Sequence, residues 1–223
     1  MSAGSTINCK LPFDMDDFFS ARQNMVDSQL RDRGISDRGV LDAMLRVPRH
    51  EFVPERSRAH AYEDRPLPLG QGQTISQPYV VAVMLQLLEV SATDTALEVG
   101  AGSGYAAALL AQLAERVFAV ERHSVLAAQA RSVLASQAYA NVEVVIGDGT
   151  LGLPDNAPFN AILVSAAAST VPQALVSQLR EGGRMVIPVG SADAQQLQLI
   201  RKIDGRPIVS LHDPVRFVPL IPS

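Results

Sequence analysis

Glu98-Val99-Gly100-Ala101-Gly102-Ser103-Gly104 is the stretch whose reading decides the fold. It follows a short apolar run, Thr95 to Val99, and opens a helix-like run from Tyr105 to Leu113. A strand, a glycine turn and a helix N-terminus together make a nucleotide-binding edge. The glycines let the backbone turn tightly and come close to a ligand. Their spacing says more than their number. A dinucleotide loop wants a third glycine or alanine five residues after the first. Tyr105 holds that place here, and the third glycine falls one residue early, at Gly104. An NAD site therefore fits poorly.

Outward from this loop the chain alternates by type. Strand-like runs are Thr95–Val99, Arg116–Val120, Val142–Ile146, Asn160–Ser165 and Arg184–Pro188. Helix-like runs between them are Tyr105–Leu113, Ser124–Gln137 and Pro172–Leu179. Near-continuous apolar strands alternating with helices predict a doubly wound, mostly parallel α/β sheet, Rossmann-like and covered on both faces. Gln195–Ile203 and Ile208–Val218 read as strands with no helix between them, which predicts an antiparallel end to the sheet. Upstream, a helix is expected from about Asp16 to Arg33, stopped by Gly34. A second follows, capped by Ser36 and ended at Val47 by Pro48. Residues 48–76 read as loop, and Pro78–Leu88 as a strongly apolar helix. The expected organisation is one domain over 1–223: a flexible lead-in to 20, a helical and substrate-loop region over 21–94, and a cofactor-binding sheet with C-terminal strands over 95–223.

Composition narrows the function classes. The 223 residues are enough for a sizeable core. The net charge is −4 and no basic block is present, so nucleic acid has little electrostatic support as a partner. The single cysteine, Cys9, permits no intramolecular disulfide, which points to a reducing compartment. No apolar run reaches the roughly 18 residues of a membrane span. The N-terminus lacks the pattern of a secretory signal. A cytoplasmic monomer is expected. The histidines His50, His60, His123 and His212 make no metal spacing.

Carboxylates mark the ligand edge. Glu98 lies near the end of the first strand. Glu121 follows the second, roughly 20 residues past the first glycine, where it can accept two ribose hydroxyls. Asp148 follows the third strand, where it could meet an adenine edge. Each has a plainer reading: a contact within its own loop for Glu98, a helix cap for Glu121, an Asp-Gly turn for Asp148. Asp155 is a weaker candidate. An acid two residues before G-x-G-x-G is similar to the loop of S-adenosylmethionine-dependent methyltransferases. The expected cofactor contacts are Glu98, Gly100, Ala101, Gly102, Ser103, Gly104 and Tyr105, then Glu121, Arg122, Asp148 and Gly149.

A second constellation, Leu67 to Pro78, ends in Thr74-Ile75-Ser76-Gln77-Pro78. Ser76 is placed to cap the helix beginning near Pro78. Equally, a hydroxyl beside the amides of a helix N-terminus is a carboxylate-binding site.

Over about residues 22–220 the chain resembles the protein-L-isoaspartate O-methyltransferase family. Met25-Val26 with Gln29-Leu30, Arg33-Gly34-Ile35, Val47-Pro-Arg-His50 and Phe52-Val-Pro54 carry the likeness. So do Ala61-Tyr62-x-Asp64, the Pro68–Pro78 loop, the glycine loop, Gly147-Asp148-Gly149, Gln178-Leu179 with Gly182-Gly183, and Phe217-Val-Pro219-Leu220. Ala101 stands where threonine is common. Ser165-Ala-Ala-Ala-Ser169 stands where threonine, two alanines and prolines are expected.

The resemblance implies methyl transfer from S-adenosylmethionine to the α-carboxylate of L-isoaspartyl residues in damaged proteins and peptides. The methyl ester then collapses to succinimide, which starts repair. It implies no metal and no catalytic base. Ser76 would contact the substrate carboxylate, with Thr74, Ile75 and Gln77 lining the same loop. Backbone amides of Val215 to Val218, including Val215, Phe217 and Val218, would read the substrate backbone, unless this is an ordinary edge strand. A methyltransferase for another carboxyl or small molecule, and a non-catalytic S-adenosylmethionine-binding protein, are the alternatives.

Overall fold

The computed structural model describes residues 15–222. Residues 1–14 of the expected lead-in lie outside them, and 15–20 are already helical. Helix α1 (Met15–Asn24) runs into a π-helical turn (Met25–Leu30) and a 3-10 turn (Arg31–Arg33). Gly34 ends it at φ 95°, where glycine pays no steric cost. Helix α2 (Arg38–Arg46) buries Val40, Leu41, Ala43 and Met44 and stops at Val47.

The cap of α2 is Asp37, not the expected Ser36. Asp37 Oδ1 accepts the Val40 N–H at 2.9 Å. The Ser36 N–H is drawn instead to Gln86 Oε1, at 2.8 Å, beside that of Asp37 at 2.9 Å. Gln86 lies in helix α3 (Pro78–Leu88), so this tether shifts the cap by one residue.

Residues 48–76 hold more structure than the expected loop. Two 3-10 turns (Arg49–Phe52, Glu55–His60) precede an antiparallel hairpin of β1 (Leu67–Gly70) and β2 (Gln73–Ile75). Prolines and glycines conceal these strands in the sequence, and only Leu67 and Ile75 in them are buried.

The main sheet is built from β3 (Thr95–Val99), β4 (Arg116–Glu121), β5 (Val142–Ile146), β6 (Phe159–Val164), β7 (Leu179–Gly190), β8 (Gln195–Ile203) and β9 (Arg206–Val215). Helices α4 (Tyr105–Ala111), α5 (Ser124–Ser136) and α6 (Gln173–Ser177) intervene. The spatial order is β5-β4-β3-β6-β7-β8-β9. Strands through β7 pair in parallel, and β8 and β9 are antiparallel. The doubly wound α/β expectation and its antiparallel end therefore hold. Boundaries move in the C-terminal strands: β7 runs from Leu179 to Gly190, and β9 spans Arg206–Val215 and does not reach Val218.

Strand alternation divides the interior. Ala96, Val117, Ala119, Ala161 and Leu163 pack with α3, α4 and α5. Leu97, Val99, Phe118, Val120, Ile162 and Val164 pack on the other face with Leu175 and Val176 of α6. Each fully buried Leu or Val contributes roughly 1.5–3 kcal/mol. The order reverses between β3 and β6, so their carboxyl ends make the crevice where such sheets bind ligands. Val99, Gly100 and Ser165 lie there: the Ser165 N–H donates to Val99 O at 2.8 Å.

Candidate active site

Two buried or half-buried charged residues hold the Thr74–Gln77 segment. Arg49 is fully buried; its Nε donates to Ala61 O at 2.8 Å and its Nη2 to Ser76 O at 2.7 Å. The guanidinium carbon lies 4.8 Å from the Tyr105 ring centroid. Burial pushes this group below its ordinary value. Asp64 Oδ1 accepts the Tyr79 N–H at 3.1 Å, and Oδ2 accepts Gln77 Nε2 at 2.7 Å and pairs with Arg33.

These contacts correct the helix-cap reading of Ser76. The N-cap of α3 is Gln77, without a capping side chain of its own. Asp64 supplies the carboxylate at that helix end, reaching it from the preceding turn. The Tyr79 amide is thereby taken, so the helix N-terminus is less open to a substrate anion than the sequence suggested. The Ser76 side chain lines a cavity instead.

That cavity measures about 370 Å3 and brings Thr74, Ser76 and Gln77 together with Val215, Phe217 and Val218. Ile75 is absent from its wall, because its side chain is buried in the core. The backbone of Phe217 is not available to a second chain. Its N–H donates to Gln195 Oε1 at 2.6 Å, and its carbonyl accepts Gln195 Nε2 at 3.0 Å. Val218 O accepts the Ala167 N–H at 2.8 Å.

A narrow groove of about 70 Å3 runs beside the cavity along the sheet edge. Gly100, Gly102, Glu121, Arg122 and Gly149 line it, with Leu220 and Ile221 opposite. Gly100 and Gly102 stand at φ 88° and 52°, backbone that favours glycine. Glu121 ends β4, buried, accepting the N–H groups of Gly102 and His123 at 2.9 Å each. Arg122 Nη1 donates to Ile221 O at 3.3 Å.

Other expected contacts face elsewhere. Tyr105 is buried, with its hydroxyl 3.3 Å from Met44 Sδ. Gly104 faces α5, where an added Cβ would meet Leu134 at 3.2 Å. Asp148 Oδ1 accepts from the Thr150 N–H at 2.8 Å and its hydroxyl at 2.6 Å, shaping the turn. Ser103 and Ala101 line a smaller recess under the loop, whose wall Tyr105 also joins. Glu98 lies in that recess, 1% exposed. Its Oε1 accepts the Ser165 hydroxyl at 3.1 Å, while Oε2 meets no hydrogen-bond partner of normal geometry among the described residues. Burial pushes its carboxyl up to about 8, with the nearby Glu121 adding to the rise.

Thr74, Ser165 and Val218 line both cavity and groove, so the two spaces meet there. Arg49, Asp64 and Ser165 are the contributors that sequence reasoning did not assign to the site. Arg49 and Asp64 lie in the stretches 47–50 and 61–64, but nothing local in the sequence shows that their charges are turned inward to hold the loop. Among the described residues, no group of three or more His, Cys, Asp and Glu side chains is arranged to hold a metal. No described helix is long and apolar enough to cross a membrane.

The lining of the groove has the chemistry to hold the adenosine of a cofactor. It offers a carboxylate with spare acceptor capacity, close glycine backbone and apolar walls. Residues 20–223 match the family model described as protein-L-isoaspartate(D-aspartate) O-methyltransferase. A protein-L-isoaspartate O-methyltransferase of Koribacter versatilis (strain Ellin345) is 53% identical over 93% of this chain and 94% of its own. One from Roseiflexus sp. (strain RS-1) is 55% identical over 92% and 94%. A solved protein-L-isoaspartate O-methyltransferase superposes with a TM-score of 0.81 at 28% identity, over 89% of this chain and 65% of that longer one. A Plasmodium falciparum protein solved with S-adenosyl-L-homocysteine gives 0.79 at 27% identity, over 92% and 98%.

Proposed function

The chain belongs to the protein-L-isoaspartate(D-aspartate) O-methyltransferase family, and from that premise we propose how its residues divide the work. The reaction is methylation of the α-carboxylate of an L-isoaspartyl residue, with S-adenosylmethionine as donor. When bound, S-adenosylmethionine supplies a methyl group activated on a sulfonium.

The acceptor's own ionisation makes a catalytic base unnecessary. A free α-carboxyl titrates near 3.3–3.7, so the nucleophile is ionised at neutral pH without a base. The protein's task is to align carboxylate and methyl group at roughly 3–3.5 Å. Ser76 orients the carboxylate with its hydroxyl. A neutral donor suits this task, since a full ion pair would dull the nucleophile. Arg49 holds the Ser76 carbonyl from beneath, without meeting the substrate. Thr74 and Gln77 shape the same wall.

Glu121 takes the ribose hydroxyls, and Gly100 and Gly102 allow the ligand close to the backbone. Arg122 and Gly149 complete the groove, and Ser103 and Ala101 support the loop from below. Asp148 acts through the turn it shapes. Val215 and Val218 flank the substrate. Isoaspartyl proteins and peptides are the substrates, met by a single-domain monomer in the cytoplasm.

The meeting of cavity and groove at Thr74, Ser165 and Val218 carries this reading. Methyl transfer from labelled S-adenosylmethionine to a matched peptide pair tests it. Transfer to the L-isoaspartyl peptide but not its L-aspartyl twin is expected. Transfer to neither, with the cofactor still bound, would move the function to another acceptor.

A further inference from the structure

A second cavity, of about 170 Å3, adjoins the substrate cavity. Gln77, Val80, Pro214 and Val215 line both, so the two lie side by side. Its remaining wall includes Tyr79 and Val83 of α3 and Leu197 of β8. Val80 and Val83 are only partly buried, on the outer face of a helix where polar residues would cost less. The charges at its rim are Arg33 and Asp213. Arg33 is already paired with Asp64 and lies 3.6 Å from the Tyr79 ring centroid. Asp213 is exposed. The space is walled mainly by Val80, Val83, Leu197, Pro214 and Val215, where a carboxylate would lose its hydration, and its mouth carries one cation and one anion.

We propose that this cavity is a specificity subsite for an apolar side chain next to the isoaspartyl residue in the substrate. The proposal rests on the Ser76 cavity being the substrate site. An extended chain places neighbouring residues about 3.3 Å apart along its axis. The residue beside the isoaspartate therefore reaches a space sharing four wall residues with the first.

The test uses L-isoaspartyl peptides with glycine, leucine, phenylalanine or glutamate immediately before or after the damaged residue. On one of the two sides, leucine should lower KM roughly tenfold relative to glycine, as apolar pockets do for a few methylenes. Glutamate there should give the highest KM. Val83→Phe fills the second cavity without lining the first. It should abolish the leucine advantage while leaving KM and kcat for glycine peptides unchanged. Val83→Ala, which cannot overpack, should shift the preference toward phenylalanine. Equal KM values for leucine and glycine peptides on both sides would overturn the subsite, as would a Val83→Phe effect equal for all peptides. No transfer to any of these peptides would overturn the underlying reading instead.

Discussion

The Glu121 carboxylate accepts the Gly102 N–H at 2.9 Å, tying the end of β4 to the middle of the glycine loop. Its other oxygen accepts the His123 N–H. A carboxylate has roughly four acceptor sites, so two remain for ribose hydroxyls. Glu121→Ala removes the ligand contact and the loop tie together. Affinity for S-adenosyl-L-homocysteine is expected to fall more than tenfold, with about 1–3 kcal/mol of stability lost to stranded donors. Calorimetric titration alongside denaturant unfolding measures both. Unchanged affinity would remove Glu121 from the site.

Ser76→Ala separates chemistry from folding. Because Asp64 and not Ser76 serves the end of α3, unfolding should move by no more than about 0.5 kcal/mol, as for an ordinary surface change. Turnover should fall on the order of 10–100-fold through loss of one oriented donor. Cofactor affinity should stay within a few-fold. A large loss of stability with normal specific activity in the folded fraction would return Ser76 to a structural role.

The parallel sheet was legible because its strands are continuous apolar runs bounded by turns. Thr95–Val99 and Val142–Ile146 fall where the sequence put them. The β1–β2 hairpin was not legible, since β1 carries Pro68 and Gly70 and β2 is only three residues long, which leaves no alternation to read. The caps went astray for a different reason. Asp37 displaces Ser36 because Gln86, distant in sequence, takes the Ser36 amide. Asp64 reaches α3 from another turn. Long-range side chains decide both, and local pattern cannot show them. The same holds for Tyr105, whose place in the loop suggested a ligand contact and whose ring is in the core.

Glu98 predicts a pH dependence. Its carboxyl is raised from an ordinary 4.5 to about 8 in the folded chain. The native state therefore binds more protons than the unfolded one across this interval. The stabilisation from neutral Glu98 is complete below about 4.5 and is lost as pH rises through about 8. Glu98→Gln should flatten the decline and leave the variant more stable than the parent at about pH 9, by several degrees in Tm. Thermal unfolding across pH 5, 7 and 9 checks this; parallel profiles for the two proteins would contradict it.

Arg49 is a structural support with a functional consequence. Arg49→Met leaves two carbonyls, Ala61 O and Ser76 O, without their donor. At about 1–3 kcal/mol each, the loss should be roughly 2–6 kcal/mol. Arg49→Lys keeps the charge but not the forked geometry, so it should recover only part. Denaturant midpoints rank the three proteins. Methionine matching arginine would mean that these bonds hold nothing.

Ser165 stands where both spaces meet, and its hydroxyl is oriented by Glu98 at 3.1 Å. Ser165→Ala removes that hydroxyl from the wall between the reactants and strips Glu98 of a donor, at about 1–2 kcal/mol of stability. Small displacements of reacting groups cost rate steeply, roughly a hundredfold per ångström. The alanine variant should therefore lose about tenfold in kcat while KM for peptide and affinity for S-adenosyl-L-homocysteine stay within a few-fold. Ser165→Thr restores the hydroxyl and carries the residue that the family resemblance led us to expect here. It should return kcat to near the parent value. If threonine were as impaired as alanine, the hydroxyl would not be the operative group. If cofactor affinity fell in step with kcat, Ser165 would be a binding contact, and alignment would have to come from Thr74 and Val218, the other two residues shared by cavity and groove.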